Sequence, residues 1–316
     1  MQVYRTLERA EQEIEGPSVV MIGNFDGVHL GHQALLQTGR ALSSARAAII
    51  PMTFDPHPVR FFRPDSPAFE LTTIEQRAAL LDHHGADAVM VLPFGKEIAS
   101  LSPREFVDQI LHQTLKAERV IVGEDFRFGH KRAGNTEVLK ELCAERNIAV
   151  TIHPPVEVGG QIISSTRVRE KVWGGKMRDV PALLTRPYEI AGEVIHGDAR
   201  GRELGYPTAN IESENRVMPP DGIYTTTLTS ERFGALPAIT YIGKRPTYEE
   251  DGARNVETFV LDWSEEKPPL DLYGQRVQIA FHDFIRPDKA FDTDEALIEQ
   301  MDRDVASARR WHKLEC

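Results

Sequence analysis

The sequence predicts two folds in series: an α/β domain on a parallel, Rossmann-like sheet, then a small all-β barrel with a C-terminal helix. Three observations lead there. β-rich apolar runs alternate with helical patterns through the first half, short alternating strands replace them after Gly174-Gly175 and Arg186-Pro187, and an apolar stripe at helical spacing closes the chain. With 316 residues there is room for two domains, each burying its own core, and the expected division is 1–184 and 185–316.

In the first domain Val19–Ile22, Ala48–Thr53, Ala88–Leu92, Val120–Gly123 and Ile148–Ile152 read as strands. Strand, helix, strand implies a parallel sheet. Thr73 and Gln76 have capping-box spacing, and Gly85 stops their helix after Leu80 and Leu81. Ser102-Pro103-Arg104-Glu105 repeats the box with proline at the first helical position, ahead of the stripe Phe106, Val107, Ile110 and Leu111. Asn135 caps a helix whose stripe is Val138, Leu139 and Leu142. In the second domain the strands are Tyr188–Ile195, Ile223–Thr229, Ala238–Ile242, Val256–Leu261 and Val277–Phe281. Asp292 with Glu295 then caps a final helix that turns Ile298, Met301, Val305 and Ala308 toward the barrel.

Composition narrows the function classes. A net charge of −11 excludes a broad nucleic-acid surface, because backbone binding needs clustered Lys and Arg. The cations an anionic small substrate would need are local: Arg127, Lys131 and Arg132, then Arg167, Arg169, Lys171, Lys176 and Arg178. No apolar run approaches bilayer-crossing length and the N-terminus carries no signal-peptide segment, so the expected location is the cytoplasm, with no membrane partner. Cys143 and Cys316, the two cysteines, lack metal or redox spacing and fit a reducing compartment. Oligomeric state is left open.

Ligands of open α/β sheets bind beyond the carboxyl ends of the strands, and unusual residues recur there. Gly23-Asn24-Phe25-Asp26-Gly27-Val28-His29-Leu30-Gly31-His32 follows the first strand and opens a helix near Gly31. Tight glycine turns, free helical N–H groups and two imidazoles suit a triphosphate. Phe54-Asp55-Pro56-His57-Pro58 follows the second strand, and Gly123-Glu124-Asp125-Phe126-Arg127-Phe128-Gly129 the fourth. His57 reads equally as a rigid turn, and Phe126 and Phe128 equally as core. Neither a Gly-x-x-x-x-Gly-Lys-Ser/Thr loop nor a dinucleotide fingerprint is present. Nucleotidyl transfer fits the histidine turn, because donors there would stabilise charge growing on the α-phosphate and on departing pyrophosphate, with no protein nucleophile.

In the second domain Gly197, Gly201 and Gly205 space a loop that runs into Tyr206-Pro207-Thr208-Ala209-Asn210. Backbone N–H groups of such a loop can close over phosphates, and the Thr208 hydroxyl and Asn210 amide oxygen are hard ligands suited to Mg²⁺. A plain glycine-rich hairpin is the alternative. Glu257 is in phase with Phe259 and Leu261. Facing inward, it would have a raised pKa and could act as general base; facing outward, it would leave Val256 and Thr258 inside, and the pattern does not choose.

Over nearly its whole length the chain resembles the bifunctional prokaryotic riboflavin kinase/FMN adenylyltransferases, or FAD synthetases. The resemblance rests on Gly23 to His32, Phe54 to Pro58, Val122 to Gly129, Ser164-Ser165-Thr166-Arg167-Val168-Arg169, the signature Gly205-Tyr206-Pro207-Thr208-Ala209-Asn210, and Ile242 to Thr247. It implies an adenylyltransferase ATP site at Gly23, Asn24, Phe25, Asp26, His29 and His32, with Ser165, Thr166 and Arg169 as a second phosphate-binding element. It implies flavin contacts at Phe54, Pro56, His57, Pro58, Asp125, Phe126 and Phe128. It also implies a kinase ATP site at Gly197, Arg200, Gly201, Gly205, Thr208 and Asn210, with Mg²⁺ at the last two and Glu257 catalytic. The expected small molecules are riboflavin, FMN, FAD and ATP. Thr185 stands where glycine is frequent in the family, and Trp173 to Met177 replace a more acidic linker. The rival readings are an enzyme keeping one activity, a non-catalytic flavin-binding regulator, and a nucleotidyltransferase for another substrate.

Overall fold

Six parallel strands form one sheet: β1 (Gln2–Tyr4), β2 (Ser18–Ile22), β3 (Ala48–Asp55), β4 (Ala88–Pro93), β5 (Ala117–Gly123) and β6 (Ala149–His153), in the order β1-β4-β3-β2-β5-β6. The computed structural model describes residues 1–67, 69–197, 201, 204–244, 254–261, 263 and 270–314. It divides into two compact units, Met1–Ala68 with Thr72–Ser165, and Phe69–Leu71 with Thr166–Cys316.

Alternation along the central strands fills two cores. Val20, Ile22, Ile50, Met52, Met90, Val120 and Val122 face one side, packed with Phe106, Val107, Ile110, Leu111, Leu139 and Cys143. Val19, Met21, Ile49, Val89, Val91 and Ile121 face the other, against Leu35, Leu36 and Leu81. A strand buried on both faces reads as a continuous apolar run, which is why these segments were legible. Both capping boxes form: Thr73 Oγ1 accepts from Gln76 N while Gln76 Oε1 accepts from Thr73 N, and Ser102 and Glu105 exchange the same pair of bonds. The Ser102 box starts a short helix, Pro103–Glu105, that continues in π geometry over Phe106–Thr114. Val107, Ile110 and Leu111 are fully buried there, each contributing about 1.5–3 kcal/mol by burial. Asn135 Oδ1 accepts from Val138 N and caps Thr136–Ala144.

β1 is an addition to the expected sheet, a three-residue edge strand paired parallel with β4. A two-stranded hairpin, β7 (Glu157–Val158) with β8 (Gln161–Ile162), is a second. From β2 the chain builds outward through β3 and β4, then returns to place β5 on the other side of β2. That reversal is the topological switch point, where splayed loops leave a crevice at the carboxyl edge. The loops flanking it begin at Gly23 and after Gly123.

The second unit is a closed antiparallel barrel of β9 (Tyr188–Ile195), β10 (Ala209–Ser213), β11 (Gly222–Ser230), β12 (Gly234–Lys244), β13 (Arg254–Val260) and β14 (Arg276–Pro287), ordered β10-β13-β12-β11-β14-β9. Inside it Thr226, Thr240 and Thr258 form a hydrogen-bonded row, 2.8 and 2.9 Å, that satisfies three buried hydroxyls. The C-terminal helix, Asp294–His312, packs Ala308 and Val305 against Ile239, Leu261 and Phe259 on the barrel's outer face. Its N-cap is Thr293, which accepts from Ala296 N, and not Asp292 as the spacing suggested. Both residues are good caps, so a one-residue shift in chain entry decided between them. Thr185, at the glycine-favoured position, adopts left-handed φ 63° after the helix Pro181–Leu184.

Candidate active sites

The turn after β2 is locked from beneath. Asp26 is 1% exposed, and its Oδ1 accepts from Thr72 N (3.2 Å) and Thr72 Oγ1 (3.3 Å) and lies 3.5 Å from the buried Arg77 guanidinium. Arg77 also donates to Thr53 Oγ1 at 3.0 Å, and Thr53 passes a hydrogen bond to the Asn24 carbonyl at 2.8 Å. Gly23 N donates to Met52 O at 3.1 Å. With this clamp two non-glycine residues hold left-handed backbone, Phe25 at φ 49° and Val28 at φ 42°. Such strain, of order 1–3 kcal/mol per residue, persists only where surroundings over-determine the conformation. Full burial of both side chains does so here.

The helix that follows spans Leu30–Leu42, with His29 as an N-cap whose side chain makes no capping bond. The positive dipole end of this helix faces the turn and suits an anion. The His29 and His32 rings stack with centroids 3.7 Å apart at 18°. Gly31 permits this, because a Cβ there would lie 3.1 Å from His29 Cε1 and 3.2 Å from Ile163 Cγ2. His32 Nδ1 is buried and makes no hydrogen bond among the described residues. Desolvation, then the His29 ring, then the Arg77 charge hold the His32 imidazole well below its ordinary pKa. It is a neutral ring with a polar atom to spare, as a buried donor to a phosphate oxygen would be.

Ser165 opens the helix Ser165–Trp173 and donates its hydroxyl to the Asp26 carbonyl at 2.8 Å, so it braces the histidine turn. Arg169, on the same helix, donates to Thr166 Oγ1 (3.1 Å) and Phe69 O (3.3 Å) and lies 5.2 Å over the Phe69 ring.

At the carboxyl ends of β3 and β4, Phe54 meets Phe94 edge-on at 5.7 Å, and Phe61 and Phe62 flank Phe94 at 5.5 and 5.9 Å. Sequence reasoning named Phe54 and missed the other three. Phe94 lies two residues past the strand predicted at Ala88–Leu92, and the strand-end rule carried to that position would have found it. The Asp55-Pro56 peptide is cis, Pro58 is the first residue of the helix Pro58–Phe62, and His57 Nδ1 caps it by accepting from Val59 N at 3.2 Å. Phe128 is a core residue, stacked on Phe126 at 5.4 Å and tilted on Phe106 at 5.4 Å. Phe126 is half-buried and Asp125 exposed.

The barrel carries a different site on its outer face. In β13 the buried residues are Val256, Thr258 and Val260, so Glu257 points away from the interior, half-covered. That settles the phase the sequence left open. Asn210 is directly opposite Glu257 in the β10–β13 register, and Thr208 Oγ1 donates to Glu257 Oε2 at 3.4 Å. Asn255 Nδ2 holds the other carboxylate oxygen at 2.5 Å. Tyr241, opposite Glu257 on β12, has its hydroxyl pushed up to about 12 by burial and by Asp288, to which it donates at 3.2 Å.

Two glycines press on this cluster. A Cβ at Gly201 would lie 2.5 Å from Tyr206 O and 3.0 Å from Thr208 Oγ1, and one at Gly197 would overlap the Asn210 amide. Gly205 is left-handed, φ 86°. Arg200 lies outside the described residues. The donors are all oxygens, one of them anionic, and they fit a hard cation that takes its remaining ligands from phosphates and water. Among the described residues there is no group of three or more His, Cys, Asp or Glu that could hold a metal ion.

Known proteins show the same two-part organisation. Residues 11–167 match the family model described as FAD synthetase, and residues 184–312 the one described as riboflavin kinase. The bifunctional riboflavin kinase/FMN adenylyltransferase of Pseudomonas fluorescens is 36% identical over 98% of this chain and 97% of its own. That of Escherichia coli (strain K12) is 33% identical over 99% of each. A solved chain from Streptococcus pneumoniae, named a macrolide-efflux protein, superposes with a TM-score of 0.85 at 30% identity, over 98% of this chain and all of that one. Among the described residues no helix is long and apolar enough to cross a membrane. Near-complete coverage by relatives of one kind, over a sheet and a barrel that each carry their own cluster, places this chain in the bifunctional riboflavin kinase/FMN adenylyltransferase family.

Proposed function

We propose that the protein makes FAD in two ATP-consuming steps, with residues 185–316 phosphorylating riboflavin and residues 1–184 adenylylating the FMN produced. In the first step the Glu257 carboxylate takes the proton of the terminal ribityl hydroxyl, the oxygen attacks the γ-phosphorus of ATP, and ADP leaves. Thr208 and Asn210 would hold Mg²⁺, which supplies charge neutralisation for the phosphates when bound. Backbone N–H groups of the Gly197 to Gly205 loop, with Arg200, would cover the phosphates.

In the second step an FMN phosphate oxygen attacks the α-phosphorus of another ATP and pyrophosphate leaves. Gly23, Asn24, Phe25 and Asp26 shape the ATP turn. His29, His32 and the helix N-terminus stabilise developing charge there, with Ser165, Thr166 and Arg169 as the second phosphate-binding element. Positioning supplies much of the rate, because no protein nucleophile is needed. The flavin side comprises Phe54, Pro56, His57, Pro58, Asp125 and Phe126, with Phe128 supporting from the core. We place the activity in the cytoplasm, on small molecules and not on nucleic acid.

One observation carries the reading: a stacked histidine pair at a helix N-terminus without a side-chain cap and a hard-oxygen cluster beside Gly197 and Gly201 occur in one chain. The test is product mass spectrometry on riboflavin plus MgATP, and then on FMN plus MgATP. Glu257→Gln is expected to lose riboflavin phosphorylation by about 100-fold or more while still converting supplied FMN to FAD. His29→Ala/His32→Ala is expected to stop at FMN, and chelation of Mg²⁺ to silence the kinase step. If folded single-site variants lose both steps together, the division of labour is wrong.

A further inference from the structure

Tyr206 is held on four sides. Its N–H donates to Gly201 O at 2.7 Å and its own carbonyl lies against Gly201. Its ring meets Phe259 edge-on at 5.3 Å, two residues along β13 from Glu257, and its hydroxyl donates to the Asp302 carboxylate on the C-terminal helix. Two residues further on is Thr208, whose 3.4 Å bond to Glu257 is long enough that a small displacement would break it.

The helix does not need that hydroxyl to stay docked. Ala308 is fully buried, Asp304 pairs with Arg286 at 2.8 Å, and His312 bonds to the Thr226 carbonyl at 2.9 Å. Asp302 is therefore the fixed end of the contact and Tyr206 the end that is held. Among the described residues Asp302 makes no other hydrogen bond or ion pair, so its carboxylate has this one structural task.

We propose that Asp302 is a positioning residue for phosphoryl transfer: by accepting the Tyr206 hydroxyl it keeps Thr208 in register with Glu257. The inference rests on the kinase reading of Thr208, Asn210 and Glu257. Phe259 and Asp302 hold the Tyr206 side chain from two elements, strand and helix, so Thr208 meets Glu257 from a position that is already set.

Kinetics of both steps in the full chain provide the test, with Tyr206→Phe, Asp302→Ala, their double variant and Asp302→Asn. Loss of one hydrogen bond to a charged acceptor is expected to lower kcat for riboflavin phosphorylation by about tenfold or more, with KM for riboflavin changing less. The double variant should fall no further than either single one, and Asp302→Asn, whose amide oxygen still accepts, should recover most of the rate. FMN adenylylation and the melting temperature should be unchanged. A normal kinase rate in Asp302→Ala, an additive double variant, or a rate loss that follows a lowered melting temperature would each overturn the proposal. Glu257→Gln separates the two levels: if it keeps kinase activity the underlying reading fails, and if it is inactive while Asp302→Ala is normal only the positioning role fails.

Discussion

The two candidate sites are built by opposite means. After β2 the turn is largely buried and prestressed, with a buried Asp26–Arg77 pair beneath it, left-handed Phe25 and Val28, and stacked imidazoles at a helix end. On the barrel the groups are half-exposed oxygens, Thr208, Asn210 and Glu257, set by strand register and by glycines that make room for them. A desolvated turn can stabilise charge with fixed dipoles because nothing must reorganise during reaction. An open oxygen cluster of this kind fits a hard cation. The difference teaches that backbone strain is stored where burial fixes the chain, and that strand register places the groups where burial is partial.

The largest effect should come from breaking the foundation of the turn after β2. Asp26→Ala strands the Arg77 charge, and loss of one partner of such a pair typically costs about 3–5 kcal/mol. Hydrogen exchange at the β2 and β5 amides is expected to accelerate sharply while barrel amides keep their protection. Unchanged protection in β2 would show that the turn is not locked by this pair.

Next comes Gly201→Ala, which pushes a methyl group toward Tyr206 O and Thr208 Oγ1. Riboflavin phosphorylation should drop by about tenfold or more with little change in melting temperature, because the fault is local misplacement of reacting groups. The Mg²⁺ concentration giving half-maximal kinase rate should rise as well. A wild-type rate would mean that the glycine contact does not set Thr208.

The smallest effect is on pH dependence. Folding lowers the His32 pKa, so the unfolded chain binds more protons and stability falls as pH drops through about 6.5 toward the native value. His282 in the barrel, lowered to about 4 by burial and His312, gives the same sign between about 6.5 and 4. His32→Gln should flatten the acid slope of the first unit and leave that of the barrel. Adenylylation should not decline between pH ~6.5 and 8, since a neutral His32 has no proton to lose there. A decline in that window that His32→Gln abolishes would show instead that the imidazolium is the working form.

Legibility followed burial and local chemistry. Asn135 and both capping boxes were readable because caps are satisfied within four residues. The edge strand Gln2–Tyr4 was not, since three residues carry too little period and its pairing with β4 is a long-range fact. The closed barrel was readable as alternation, but the phase of Glu257 was not: the helix over the outer face gives Phe259 and Leu261 an apolar environment outside as well as in. Of the aromatic group at the β3 and β4 ends, Phe54 stood in a recognisable stretch, whereas Phe61, Phe62 and Phe94 gather only when two strands end side by side.

By itself the sequence determined the two fold classes, the two capping boxes, the Asn135 cap and the family resemblance, because propensity, capping and motif wording act over a few neighbouring residues. Only the tertiary structure decided that Arg77 neutralises Asp26, that His29 and His32 stack across Gly31, that Glu257 faces outward opposite Asn210, and that Asp302 receives Tyr206. Most of these join residues far apart in the chain, and even the His29–His32 stack depends on the buried turn around it. Whether such groups meet is set by sheet order, strand register and helix docking, which no local window contains.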